Sequence, residues 1–378
     1  MKPIYWDNNA TTPLAPEVLE AMLPYLSGEL FYNPSAAYPQ ARRVRRALEE
    51  AREQVAALLG AAPGEIIFTS GGTESTNTAL AQWQRVLAPA TEHPATLRHA
   101  RIGSHCPVLA NGQVDTAAWQ QLLPGPDAAS VALANHESGV LQPTAQRCAA
   151  AAAAGARVHV DAVQAAGKMP LALHDLPMVD YASVSAHKLH GPKGVGALYV
   201  RTGAPLRPMI SGGKQEIARR AGTENVPGII GFGKAAELAL AAAAEYARVE
   251  ELRGRFLRAL AAEGIEVVEN GGGAPRLPHV LNMRVPGCAA ESLTLLLEPA
   301  GLLCSAGSAC TSAEPTPSHV LLAMGLSPQQ ARESLRLSWN RFTTEEQADA
   351  AAALLAAAVH KLRAVQSPRT GGVVVYTP

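Results

Sequence analysis

The sequence contains few cysteines, and their distribution argues against the usual structural uses of this residue. Five cysteines are spread over 378 residues. They are odd in number and lack the paired C-x-x-C spacing of a zinc site, so we expect neither a disulfide framework nor a bound metal. An isolated free cysteine is most often a small buried apolar residue.

The sequence also lacks net charge and long apolar runs. Its 32 Lys and Arg residues are matched by 32 Asp and Glu residues, which removes the clustered positive charge that nucleic-acid and anionic-membrane binding requires. The most basic stretch, "ARRVRR" at residues 41–46, opens a pattern typical of a helix with one solvated face. No charged segment followed by an apolar one lies near Met1, and no run of about 18 apolar residues suggests a membrane span. We therefore expect a cytoplasmic protein that binds neither nucleic acid nor membrane.

What the sequence does contain is an alternation of β-rich runs and helical patterns. The β-rich runs of the first 250 residues are "EIIFTS" (65–70), "SVALAN" (130–135), "RVHVDA" (157–162), "DYASVSA" (180–186) and "GALYVR" (196–201). This alternation favours an α/β domain with a mostly parallel sheet. An Ala-rich pattern predicts one long helix from about Gly231 to Leu260, leading into a second lobe that contains the strand-like runs "HVLNMRV" and "SLRLSW".

Asp161 lies at the end of the β-rich run 157–162, and Lys188 follows the run 180–186. A lysine is mostly protonated at neutral pH, but a site of low polarity lowers its pKa and lets it form a Schiff base. Pyridoxal phosphate needs a lysine to hold its aldehyde and a carboxylate to keep its ring nitrogen protonated. Because the carboxyl ends of parallel strands meet at one crevice, this pair predicts a pyridoxal phosphate site.

The stretch "IIFTSGGTESTN" (66–77) predicts a cradle for the phosphate. It reads as a strand, two glycines that let backbone N–H groups approach an anion, and hydroxyl side chains at the start of a helix. The G-x-x-x-x-G-K-[ST] and G-x-G-x-x-G patterns of nucleotide sites are absent, which excludes those interpretations. Ser185 and His187 add donors beside Lys188.

Several stretches together resemble the cysteine desulfurases of the pyridoxal-phosphate-dependent class V aminotransferase family, and most closely the nitrogenase-associated and iron–sulfur types. In order along residues 6–346 they are "WDNNATTPLAPEV", "EIIFTSGGTESTN", "NHESGVLQP", "HVDAVQAAGK", "SVSAHKLHGPKGVGALYVR", "RRAGTENVPGIIGFGKA", "SAGSACTSA" and "SLRLSWNRFTTEE". The resemblance implies an α/β fold, the type I fold of pyridoxal-phosphate-dependent transferases. Its large domain, expected over residues 16–250, holds a mixed, mostly parallel seven-stranded sheet. A smaller α+β domain, expected over residues 1–15 and 251–378, carries the catalytic cysteine.

The resemblance also implies a role for each matching residue. Lys188 is the Schiff-base lysine, Asp161 pairs with the pyridine nitrogen and Gln164 hydrogen-bonds the phenolic oxygen of the ring. His93 stacks on the ring and takes part in proton transfer. The implied phosphate ligands are Gly72, Thr73, Ser185, His187 and, from a second subunit of a homodimer, Thr223. The implied substrate-side residues are Asn9, Asn135, which also touches the cofactor, and Arg336, whose guanidinium suits a carboxylate.

Cys310 lies in "CSAGSACTSAEP", a stretch of small and polar residues with little to pack. We expect an exposed, mobile loop there, from which a thiolate reaches into a site and leaves carrying sulfur. Cys304 follows the apolar "GLL" and is interpreted as part of the core. The family motif makes Cys310 the catalytic cysteine.

The implied reaction converts L-cysteine to L-alanine and leaves the sulfur on Cys310 as a persulfide. The sulfur then passes to an acceptor such as an iron–sulfur scaffold protein. A selenocysteine lyase or a class V aminotransferase that does not use the loop cysteine are alternatives within the family. A catalytically silent scaffold that binds sulfur acceptors is an alternative of another class, but such a scaffold needs none of Lys188, Asp161, Arg336 or Cys310.

Overall fold

The computed structural model describes residues 3–100, 103–242, 245–306 and 316–366. The strands are β1 (Ile4–Tyr5), β2 (Ile66–Thr69), β3 (Val86–Pro89), β4 (His105–Cys106), β5 (Ala128–Ala132), β6 (Arg157–Asp161), β7 (Tyr181–Ser185), β8 (Gly196–Val200), β9 (Val268–Glu269), β10 (Val280–Arg284), β11 (Leu302–Leu303), β12 (Ser305–Ala306) and β13 (Ser334–Ser338). The α-helices are Pro16–Leu26, Pro39–Leu59, Gly72–Leu80, Pro94–Leu97, Thr116–Leu122, Thr144–Ala153, Gln215–Ala218, Val226–Ala241, Tyr246–Ala262, Ala290–Ala300, His319–Ala323, Pro328–Arg332 and Glu345–Gln366.

A seven-stranded sheet forms the larger layer of the molecule. Its strand order is β2-β8-β7-β6-β5-β3-β4. Neighbouring strands are parallel except that β8 runs antiparallel to both β2 and β7. Every residue of β2, β7 and β8 is buried, as expected for strands covered on both faces. The predicted mixed, mostly parallel seven-stranded sheet is confirmed.

The helix Pro39–Leu59 shows how the sequence pattern positions a layer on this sheet. Val44, Leu48 and Val55 are buried on one face, whereas Arg42 and Arg46 on the opposite face are exposed. The helix ends at Gly60, whose left-handed backbone (φ +57°) closes the last turn. The basic stretch is therefore a solvated helix face, as predicted. In the described part of the chain, no helix is both long and apolar enough to cross a bilayer.

A second, antiparallel sheet has the strand order β12-β13-β10-β9 and packs around its own apolar core. Trp6, Phe256 and Trp339 meet in that core, with ring centroids 5.0 to 5.1 Å apart. The tilted and edge-on geometry of these rings is the favourable one for aromatic pairs.

The single long helix predicted from about Gly231 to Leu260 is wrong. The structure has two helices instead, Val226–Ala241 and Tyr246–Ala262. Phe232 and Ala236 in the first are buried in the core of the large sheet, whereas Val249 and Phe256 in the second are buried in the core of the small sheet. Alanine-rich sequence favours helix throughout but does not specify one axis, and packing against two different cores divides it. The predicted domain boundary at residue 250 falls inside the second helix and stays a prediction.

Candidate active site

The carboxyl ends of four strands of the large sheet meet at one edge. Gly196, the first residue of β8, pairs with both Thr69 and Ser185, the last residues of β2 and β7. Asp161, the last residue of β6, lies opposite Ala132 of β5. Since open α/β sheets bind ligands outside the carboxyl ends of their strands, this edge is where a site is expected.

A cavity of about 320 Å³ opens at this edge, within the size range of small-molecule sites. The sequence-predicted residues that line it are Asn9, Gly72, Thr73, His93, Asp161, Gln164, Ser185, His187, Lys188 and Arg336. The amine of Lys188 and the carboxylate of Asp161 thus face one cavity, although they come from different strand ends. The roles of these residues stay predictions, but their convergence is a feature of the structure.

Lys188 ends the short 3₁₀ turn Ala186–Lys188, directly after β7. Its Nζ donates hydrogen bonds to the carbonyl oxygens of Asn9 and Ala10, the second at 2.9 Å. Burial lowers the pKa of Lys188 to about 8, and the nearby Arg336 adds to this shift. A substantial fraction of neutral amine therefore exists near neutral pH, which is what a nucleophilic lysine needs.

Asp161 presents a desolvated carboxyl group to the cavity. Its Oδ1 accepts a hydrogen bond from the backbone N–H of Val163 at 2.9 Å. Burial raises the pKa of Asp161, and the neighbouring His93 and Lys188 oppose that shift. A buried carboxylate of this kind favours a proton-carrying partner, such as a protonated ring nitrogen.

His93 caps the short helix Pro94–Leu97. Its Nδ1 accepts a hydrogen bond from the backbone N–H of Ala95 at 3.1 Å, which assigns the ring proton of the neutral form to Nε2. Burial lowers the pKa of His93, although Asp161 opposes the shift. The neutral imidazole lies edge-on to the ring of His136, with centroids 5.4 Å apart.

The start of the helix Gly72–Leu80 forms the other end of the cavity. A Cβ atom at Gly72 would lie 2.7 Å from Cγ2 of Val163, so only glycine allows this close approach of the backbone. Gly72, Thr73 and Ser185 line this end of the cavity, where the positive end of the helix favours an anion. Burial lowers the pKa of the adjacent His187 to about 4, with Lys188 adding to the shift.

Arg336 approaches the cavity from β13 of the small sheet. Its Nη2 donates to Oδ1 of Asp7 at 2.7 Å, and its Nη1 donates to the carbonyl oxygen of His136 at 3.3 Å. Among the described residues, its buried Nε has no hydrogen-bond partner, and neither has the buried Oδ1 of Asn9. These unpaired groups indicate a polar ligand, because buried polar atoms are rarely left unsatisfied.

Asn135 was predicted to touch both substrate and cofactor, but the structure does not place it in the cavity lining. Its Nδ2 donates to the carbonyl oxygen of Thr91 at 2.8 Å, and its Oδ1 accepts from the N–H groups of Glu137 and Ser138 at 2.9 and 2.8 Å. Its amide is therefore used to hold the turn that follows β5. The next residue, His136, lines the cavity instead.

His136 is the functional candidate that the sequence reasoning missed. Burial lowers the pKa of His136 well below the usual value, so its ring is neutral. Its ring lies 5.4 Å from the ring of His93, and its backbone carbonyl oxygen accepts a hydrogen bond from Arg336. No signal in the sequence indicates His136, because the turn that Asn135 holds is visible only in its hydrogen bonds.

Thr223, another predicted residue, does not line the cavity. It is exposed and lies in a separate pocket with Ser70 and Gly222, and its use by a second subunit stays a prediction. Cys310 lies outside the described residues. The described residues before and after Cys310 make contacts near the cavity. Ser305 pairs with Arg336, and Ser318 donates a hydrogen bond to Oε2 of Glu137 at 2.5 Å.

These residues fit pyridoxal phosphate. The cavity combines an amine of lowered pKa, a desolvated carboxyl group and the N-terminus of the helix Gly72–Leu80. An aldehyde, a ring nitrogen and a phosphate need these three features, respectively. Lys188, Asp161 and the start of the helix Gly72–Leu80 would hold the three parts.

Comparisons with known proteins agree with this arrangement. The family model described as "Aminotransferase class-V" matches residues 4–351. A cysteine desulfurase from Klebsiella pneumoniae is 42% identical over 378 residues, with 97% of this chain and 95% of the relative covered. Among solved structures, a NifS-like protein from Rickettsia africae is similar with a TM-score of 0.86 at 30% identity, covering 95% of this chain and 99% of that chain. The structure described as SspA in complex with cysteine has a TM-score of 0.76 at 31% identity and covers 90% of this chain and 99% of that chain.

Proposed function

The chain belongs to the class V aminotransferase family, and we infer that it is a cysteine desulfurase that converts L-cysteine to L-alanine and passes the sulfur on as a persulfide. The observation that carries this conclusion is the convergence of Lys188, Asp161 and Arg336 on one cavity. The three side chains come from two different sheets, and a protein that only bound a partner would not need them together.

Pyridoxal phosphate, when bound, supplies an electron sink for the negative charge that develops on the substrate carbon. Lys188 would hold its aldehyde. Asp161 would keep the ring nitrogen protonated, and the amide of Gln164, which lines the cavity, would donate to the phenolic oxygen. Gly72, Thr73, Ser185 and His187 would hold the phosphate.

Lys188 and His93 handle the protons of the reaction. The lowered pKa of Lys188, about 8, lets the amine take a proton from the substrate and return it near neutral pH. His93 is neutral with its proton on Nε2, so it would stack on the cofactor ring and donate this proton. The neutral ring of His136 lies edge-on to it, with centroids 5.4 Å apart.

The sulfur step uses the thiol of Cys310. Its thiolate attacks the sulfur of the bound cysteine, an S–S bond forms and the C–S bond breaks. The electron pair of the broken bond stays with the three-carbon fragment, which takes up a proton and leaves as alanine. The persulfide on Cys310 then carries the sulfur to an acceptor protein such as an iron–sulfur scaffold.

We propose that the enzyme works as a homodimer in the cytoplasm. Thr223 is exposed and apart from the cavity of its own chain, which supports its use by a second subunit. An exposed apolar side chain lies near Thr223. Phe31 lines a neighbouring pocket together with Thr223 and is 66% exposed. Burial of such residues between two copies would be favourable.

The test is to incubate the purified protein and pyridoxal phosphate with L-cysteine and to measure alanine and sulfide in the presence of a thiol reductant. We expect one alanine for each sulfide released. Faster release of alanine from selenocysteine than from cysteine would favour the lyase, and formation of a keto acid would favour an aminotransferase. A protein without visible absorbance after addition of pyridoxal phosphate would support the silent scaffold.

Replacing Arg336 with lysine is expected to raise the KM for L-cysteine about 10- to 100-fold with a smaller effect on kcat. Lysine keeps the positive charge but loses the planar fork that binds a carboxylate through two N–H groups. A charge-assisted hydrogen bond contributes roughly 1.5–3 kcal/mol, which corresponds to this range. Steady-state kinetics of alanine release measures both constants.

Arg284→Lys is the matched control for this change. Arg284 lies in β10, next to β13, and pairs with Glu333 at 3.6 Å, away from the cavity. It should leave KM within about twofold of the wild type, because lysine keeps the positive charge and Arg284 does not line the cavity. An unchanged KM in Arg336→Lys would remove Arg336 from the substrate-binding site.

A further inference from the structure

Lys168 is a lysine buried directly behind the candidate active site. Its residue is only 6% exposed. It lies in the tight turn that follows β6, four residues after Gln164. Gly167 permits that turn because its backbone is left-handed (φ +71°) and a Cβ there would lie 2.7 Å from Cβ of Ala239. The fold therefore places Lys168 beside Gln164 with little freedom to move.

Lys168 is connected to the active site through the side chain of Gln164. Its Nζ donates to Oε1 of Gln164 at 3.3 Å, and Nε2 of Gln164 donates to the carbonyl oxygen of Asn9 at 3.2 Å. The same carbonyl oxygen accepts a hydrogen bond from Lys188. Gln164 itself lines the cavity.

This connection decides which way the Gln164 amide points. A glutamine amide has an oxygen that accepts and a nitrogen that donates, and either orientation fits the same space. In its protonated form Lys168 only donates, so it holds Oε1 toward itself and turns the NH₂ group toward Asn9 and the cavity. With an apolar residue in its place, the carbonyl oxygen of Asn9 would still accept from Nε2, but Oε1 would lose the donor that Lys168 provides.

Charge pairing does not account for the burial of Lys168. The small space behind Lys188 is lined, among the described residues, by side chains without a carboxylate; those that titrate are Lys168, Lys188, His190, Tyr246, His279 and Arg341. Burial lowers the pKa of Lys168 to about 7, and Lys188 adds to the shift. Burial also lowers the pKa of His190 to about 4 and that of His279 well below its usual value.

An uncompensated buried lysine costs stability, whereas an apolar side chain of similar length would not. Among the described residues, Oε1 of Gln164 is the acceptor within hydrogen-bond range of its Nζ. Burial of Lys168 therefore has a cost, and the contact that it makes is with the cavity-lining amide of Gln164. The simplest explanation for a lysine at this position is that it orients this amide.

We propose that Lys168 is a positioning residue that fixes the amide of Gln164 with its NH₂ group toward the phenolic oxygen of bound pyridoxal phosphate. This inference rests on the proposed function, because it concerns the same cofactor. Lys168 contacts neither cofactor nor substrate in this assignment and acts only through Gln164.

The experiment is a pH titration of the visible absorbance of the loaded enzyme, without substrate. Lys168→Met removes the donor and is expected to raise the apparent pKa of the absorbance change by about half a pH unit or more. The sign follows because an amide donor stabilises the deprotonated, negatively charged phenolic oxygen, and its loss favours the protonated form. Lys168→Arg keeps a donating cation and should titrate close to the wild type.

The same change in a Gln164→Ala background separates the proposed route from a direct effect of charge. If Lys168 acts through Gln164, Gln164→Ala alone shifts the titration and the added Lys168→Met shifts it no further. A second shift of the same size in that background, or no shift in the single variant, would overturn the proposal. Thermal unfolding shows whether each variant still folds. If Lys168→Met does not fold, the titration of Lys168→Arg decides the outcome.

The wild-type titration distinguishes this inference from the function on which it rests. A wild-type protein that shows no visible absorbance with pyridoxal phosphate would overturn the proposed function and this inference with it. A wild type that titrates normally, together with an unshifted Lys168→Met variant, would overturn the role of Lys168 alone.

Discussion

Replacing Lys188 with alanine is expected to lower alanine release from L-cysteine by at least about 1,000-fold. The variant loses the amine that holds the cofactor aldehyde and the base that moves the substrate proton, and a positioned acid or base alone contributes roughly 10²- to 10⁴-fold. The structure prepares this amine by burying it, which lowers the pKa of Lys188 to about 8. Steady-state release of alanine measures the loss, and borohydride reduction followed by peptide mass mapping locates the covalent attachment of the cofactor.

Lys193→Ala is the matched control, because Lys193 lies on the same segment but is exposed. It should retain wild-type activity and the same mapped attachment site. Lys188→Arg keeps a positive charge without a nucleophilic amine and should be as inactive as the alanine variant. Substantial alanine release from either Lys188 variant, or a mapped attachment at another lysine, would contradict the assignment of Lys188.

The strand ends that build the site were predictable from the sequence because each buried strand is a short, nearly continuous apolar run followed by a polar residue. The runs that end near Asp161 and Ser185 are β6 and β7 in the structure. β3 and β4 were not predicted, because "VLAP" is short and ends in proline and β4 has two residues. Such short strands carry little sequence pattern of their own and are specified by pairing with a neighbour.

The side-chain directions within a motif were less predictable than the motif itself. The stretch "NHESG" contributes His136 to the cavity lining, whereas Asn135 turns away to satisfy backbone groups. Lys168 belongs to the stretch "HVDAVQAAGK", but the sequence does not indicate its role. Its contact with Gln164 depends on the tight turn at Gly167. Both cases show that a hydrogen-bonded turn, which sequence spacing does not reveal, decides which neighbour meets a ligand.

Replacing Cys310 with alanine is expected to abolish persulfide formation while the visible absorbance of the bound cofactor remains. The change removes the thiolate that attacks the substrate sulfur but leaves the side chains that would hold the cofactor, Lys188 and Asp161 among them, unaltered. Nucleophilic sulfur is needed to break the C–S bond, so alanine release from L-cysteine should fall below detection. Mass spectrometry of the alkylated protein after a single turnover measures the persulfide, and amino-acid analysis measures alanine.

Cys304→Ala is the control that separates a reactive thiol from a structural one. Cys304 packs against the smaller core, and burial together with the nearby Asp7 raises the pKa of its thiol to about 12. Because a thiol with that pKa stays protonated at neutral pH, it cannot replace Cys310 as the nucleophile. Cys304→Ala should therefore form the persulfide at the wild-type rate, provided that thermal unfolding shows an intact fold. Measurable alanine production by Cys310→Ala, or loss of the persulfide only in Cys304→Ala, would reassign the catalytic sulfur.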